Sequence, residues 1–205
     1  DPTPSDVRSM ADFSVESLLR NSITPDPEAI ALATRVSLDP MEPPQRRAGM
    51  LQALTRDWPG PSVPVAGTEA YLDSVPYWEG VAKDTNQPAV LRSSALGFLG
   101  VVDPSAAVEL IIDAARHDPD SYLKRAAIAH LGRIQPATAA QREFLLDTVL
   151  HPSWIGQDAA AIDALKRCGD PSCIPTLERL ARDRRLGGPI RDAVTEIRRR
   201  AAVAK

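Results

Sequence analysis

Three histidines and two cysteines are the side chains of this 205-residue chain with the widest chemical repertoire. His117 and His151 stand 34 residues apart, each near the predicted end of a helix, where a cation complements the helix dipole. His130 lies inside an apolar run. Cys168 and Cys173 span a Gly-Asp-Pro turn in "RCGDPSC", a spacing that puts a disulfide within reach if one helix ends at the first and another begins near the second. They are too few for a structural zinc site, because no histidine pair follows them. Asp113, Asp147 and Glu178 recur as a column of carboxylates and read as solvated or turn-bonding residues, since a general acid needs burial to tune its pKa. The chain contains no Cys-x-x-Cys-His sequence, no glycine-rich phosphate loop and no Gly-x-Ser-x-Gly elbow. We therefore expect neither a catalytic constellation nor a metal or cofactor site, and take the protein as non-enzymatic.

The remaining chemistry is charge. The net of −3 divides unevenly, −9 over residues 1–120 and +6 over residues 121–205. Arg92, Lys124, Arg125 and Arg191 each precede an apolar stretch and are the candidate partner contacts, although Arg92 and Lys124 are expected chiefly to bond the preceding acidic turn at Asp84, Asp118 or Asp120. Steeply salt-dependent binding to nucleic acid is the other use of such a basic half. An acidic overall balance, with Asp158 and Asp192 interrupting the row, makes a nucleic-acid partner the weaker expectation.

The elements that carry these residues are helical. Alanine and leucine are abundant and aromatics make up 4%, a composition for close helix packing and not for a sheet. Most of the 19 prolines fall between apolar runs, where they start or stop helices. No run approaches the roughly 20 apolar residues that a membrane span needs. Residues 1–13 form a polar, flexible tail. It opens on Asp1 with "DPTPSD", which fits a processed mature chain or a trimmed domain. Helices follow over 14–23, 26–38 and 43–58, and "PGPSVPVAG" (59–67) is the strongest breaker. It divides an N-terminal helical region, 14–66, from a repeat array, 67–205. A Cys168–Cys173 bridge would favour an oxidising, extracytoplasmic compartment.

Within the array one phrase recurs. Leu99, Leu131, Leu165 and Ile197 are spaced by 32, 34 and 32 residues, and the same offsets align Ala95, Ala127, Ala161 and Ala193. They also align Leu96, Ile128, Ile162 and Val194, so three apolar columns repeat on one helix face. Partner helices over 105–117, 138–151 and 172–183 lie between them. A helix–turn–helix period of this length predicts an α-solenoid of about four to five helix pairs. Its last helix, with Arg198, Arg199 and Arg200, serves as a polar cap.

"DPDSYLKRAAIAHLG" (118–132) resembles the HEAT-like repeat of the phycobilisome-lyase type, in which an acidic turn precedes Val-Arg, alanine-rich apolar positions and Leu-Gly. Leu123-Lys124 stands where Val-Arg is usual, "VLRSSALGFLG" (90–100) keeps the arginine as Arg92, and "GDPSCIPTLERLARD" (169–183) is similar to the turn and first helix. The resemblance extends over 67–204, and loosely over 26–58. It implies an all-α, right-handed α-α superhelix. Some HEAT-like enzymes hold iron through His-Glu pairs, and this chain has none. A tetrapyrrole-handling relative would use aromatic walls, whereas Tyr71, Tyr77 and Trp78, with Trp58 and Trp154 elsewhere, read chiefly as core anchors. The expectation is a scaffold that binds another protein on its concave face. A nucleic-acid binder, or a lyase- or chaperone-like protein handling a chromophore, are the competing classes.

Overall fold

The computed structural model describes residues 15, 19, 26–55, 72–182 and 185–203, all assigned structure among them being helix or turn. The tail, most of the helix expected over 14–23, the breaker 59–67, Trp58 and Tyr71 lie outside the described residues. No described helix is long and apolar enough to cross a membrane. The chain divides into two compact units, Asp1–Asp103 and Pro104–Lys205.

In the first unit, α1 (Pro27–Leu38) starts where Asp26 accepts a hydrogen bond from the Glu28 amide at 2.9 Å and Pro27 needs no partner. It packs on α2 (Pro44–Thr55), which packs in turn on α4 (Ala89–Val102), as does α3 (Val75–Lys83). Met50, Leu51, Leu54, Trp78, Leu91, Leu96 and Phe98 fill the core. Trp78 and Phe98 meet at 6.1 Å between ring centroids. Trp78 is thus the core anchor expected of it, whereas Tyr77 reaches solvent and bonds the Arg47 guanidinium. Every residue of α4 from Leu91 to Gly100 is buried, more than the single stripe that the repeat columns require.

The second unit is three helical hairpins. α5 (Pro104–His117) packs on α6 (Ser121–Leu131), and α7 (Ala139–Leu150) on α8 (Gln157–Cys168). A 3₁₀ turn (Pro171–Cys173) runs into α9 (Ile174–Leu180), which packs on α10 (Gly187–Val203). α6 and α10 both pack on α8, and α5 packs on α7. All twelve residues of the three repeat columns are buried in α4, α6, α8 and α10.

Local chemistry sets the turns. Asp120 accepts from the amides of Tyr122 (2.8 Å) and Leu123 (3.2 Å) to start α6. Thr138 and Gln141 form a capping box at α7, and the Gln141 side chain also donates to the carbonyls of Leu131 and Ile134, tying the end of α6 to the start of α7. The Leu-Gly of the repeat has a steric reason: a Cβ on Gly132 would stand 2.8 Å from Cα of Ala164. Side chains from the α6–α7 turn and from α10 reach the end of α8. Gln135 Nε2 donates to the Arg167 carbonyl at 3.2 Å, and Arg200 donates to the carbonyls of Arg167 and Gly169, the latter at 2.8 Å.

Candidate interaction surface

The four basic candidates separate by position. Arg92, in the first unit, is 3% exposed, and its Nε donates to the Gln87 carbonyl at 3.1 Å. It is therefore a buried structural residue and not an exposed contact. The reason was in the periodicity: Arg92 precedes Ala95 by three, Leu96 by four and Leu99 by seven, which places it on the buried stripe. The acidic turn nearby complements it. Asp84 is held below the usual carboxylate range by the Asn86 amide first, then the Gln87 side chain, with Arg92 contributing.

The same repeat position is Lys124 in α6, half-buried, Asp158 in α8 and Ile190 in α10, both buried. One residue further on, Arg125 and Arg191 face solvent from α6 and α10. Other cations of the second unit have close acidic partners. Arg167 meets Asp163 at 3.0 Å, Arg198 meets Glu178 at 2.6 Å, and Arg199 meets Glu196 at 2.7 Å. Arg199 is the chief cause of the lowered Glu196 pKa.

Arg125 leads to the most distinctive surface of this unit, the corner between α7 and α8. Its guanidinium carbon lies 5.4 Å from the centre of the Trp154 ring. The corner is tightly constructed. Gly156 has φ +88°, a left-handed conformation that side chains disfavour. The Ser153 amide and hydroxyl both donate to Gln157 Oε1, at 2.6 and 3.0 Å, and the Gln157 amide donates to the Trp154 carbonyl. Ile155 is 94% exposed at the tip. Beneath it Asp158 is 2% exposed, accepts from the Ala159 amide at 2.8 Å through Oδ1, and pairs through Oδ2 with Arg185. Pro152, Ser153, Trp154, Ile155, Gly156, Asp158 and Arg185 enclose an open pocket of about 320 Å³.

This corner was only partly legible in the chain. Arg125 was singled out and Trp154 noted, but Ile155, Asp158 and Arg185 join them through the fold. The signal available in the sequence was the bulky pair Trp154-Ile155 between a helix stop and a glycine.

The other candidates occupy defined places. His117 ends α5 and His151 follows α7, and their Nδ1 atoms meet Asp113 and Asp147 at 2.8 and 2.9 Å in exposed i,i+4 pairs. Asp113 and Asp147 thus contact histidines at the surface, and Glu178 forms a surface ion pair with Arg198. Among the described residues, no group of three or more His, Cys, Asp and Glu side chains is arranged to hold a metal ion. Cys168 and Cys173 are free thiols, both buried, so the possible disulfide is not formed in this structure. Burial pushes the Cys168 thiol up to about 11, against an opposing hydrogen bond from Gln141.

No family model, curated protein or solved structure matches the chain.

Proposed function

We propose that this protein is a non-enzymatic scaffold, a right-handed HEAT-like α-α superhelix of about four to five helix pairs that holds a protein partner on its concave face. The stacked hairpins of the second unit, with the repeat columns buried at one phase, support this architecture. The observation that carries the interaction reading is the α7–α8 corner. An isoleucine 94% exposed beside a tryptophan and an arginine brings together the residue types that anchor interfaces, on a backbone already fixed by its own hydrogen bonds. Arg125 and Arg191 are the basic candidates that reach solvent, and Lys124 contributes its half-exposed stem.

The test is affinity capture by the full chain from its native host, with and without nuclease, compared with Ile155→Asp. A stoichiometric protein that survives nuclease and is lost with Ile155→Asp supports the scaffold. A partner lost with nuclease supports the nucleic-acid class instead, and a coloured eluate without protein supports the chromophore class.

A further inference from the structure

Asp158 is at odds with its own repeat. The equivalent positions carry Arg92, Lys124 and Ile190, so the helical hairpin has no architectural need for an anion there. A carboxylate 2% exposed costs free energy to desolvate unless a cation meets it. It lies in the first turn of α8, beside the positive end of the helix dipole, and the Ala159 amide satisfies Oδ1. Oδ2 is left for a counter-charge, and the group that supplies it is Arg185, whose side chain is 66% exposed. Arg185 thus reaches into the pocket from the surface. The pocket adds the Trp154 indole, which already attracts one cation, Arg125, and the apolar Pro152 and Ile155 at the rim.

We infer that the α7–α8 pocket is a receptor for a cationic side chain, an arginine or lysine of the bound partner, and that Arg185 occupies it as an internal surrogate until the partner displaces it. This deepens the scaffold reading and rests on it for the source of the cation. Asp158 Oδ2 accepts the incoming guanidinium or ammonium, Trp154 provides the aromatic wall, and Ile155 covers the aliphatic stem. Because Arg185 is tethered, it competes at a high effective concentration, so removing it raises the affinity for a free cation.

The experiment titrates the full chain with N-acetyl-arginine amide and, separately, N-acetyl-glutamate amide, following the Trp154 indole NH by NMR. That signal is assigned by its absence in Trp154→Phe. Arg185→Ala is expected to bind the arginine probe about tenfold more tightly than the unmodified chain. Adding Asp158→Asn should abolish that binding. Should the Asp158 variant not fold, Trp154→Leu in the Arg185→Ala background serves instead, with affinity reduced about threefold. Equal response with and without Arg185, retained binding after Asp158→Asn, or preference for the glutamate probe overturns the inference. Capture of a host protein alongside any of these would leave the scaffold standing without the cation pocket. Probe binding by Arg185→Ala with no captured protein would keep the pocket and remove the scaffold.

Discussion

Cys168 shows how one buried group sets a pH limit. Its thiol titrates near 11 in the folded chain and near its ordinary value of 9.0 when unfolded. Below pH 9 both states are protonated and the group has no effect. Above it the unfolded chain releases the proton first, so stability falls as pH rises from 9 toward 11, by about 2–3 kcal/mol in total. Denaturant melts at pH 8 and pH 11 should show that loss, and Cys168→Ala should remove most of it. In the same protein a thiol reagent is expected to find two thiols once denatured and to react slowly when native; rapid native labelling would contradict the burial of both sulfurs. Arg92 belongs to this scale as well. Replacing it with Ala should lower stability by about 2–3 kcal/mol, because the Gln87 carbonyl loses its donor and Asp84 a nearby cation. Its role was legible in the acidic turn before it and in its phase against Leu99, although charge alone suggests the surface. Ile155 and Arg185 gave no periodic signal, because loop residues are brought together by tertiary packing and not by spacing.

Helices were the most legible level. Fixed offsets named twelve positions, and burial of all twelve follows from the 3.6-residue period that places them on one face. Less legible was α4, whose full burial depends on neighbours that no local pattern describes. Two glycines separate close approach from mere presence in a helix. Gly132→Ala would force a methyl group to 2.8 Å from Cα and 3.0 Å from Cβ of Ala164, pushing α6 from α8 and costing about 1–3 kcal/mol. Gly80→Ala, at an exposed position of α3 with nothing within 4 Å of the new atom, should instead stabilise by about 0.5–1 kcal/mol. Thermal melts of the two variants should move in opposite directions.

Charge is the property of the molecule as a whole, and its uneven division over the chain was readable at once. How much of it is usable was less so: Arg167 and Arg199 meet Asp163 and Glu196 one turn away on their own helix, but Arg198 finds Glu178 only through packing. Exposed pairs of this kind are weak individually, yet they lower the density of unmatched cations that counterion release requires. Fluorescence anisotropy with a labelled random-sequence duplex should therefore show little binding at physiological salt and a shallow log–log salt slope. A steep slope would favour the nucleic-acid class. The carbonyls closing α8 lead to a different property. Gln135 comes to them from the turn between α6 and α7 and Arg200 from α10, so the end of α8 cannot fray without releasing bonds on both sides. In native-state hydrogen exchange, the amides of the last turn of α8 should share one opening free energy with those of α10, where independently opening hairpins would give a staircase.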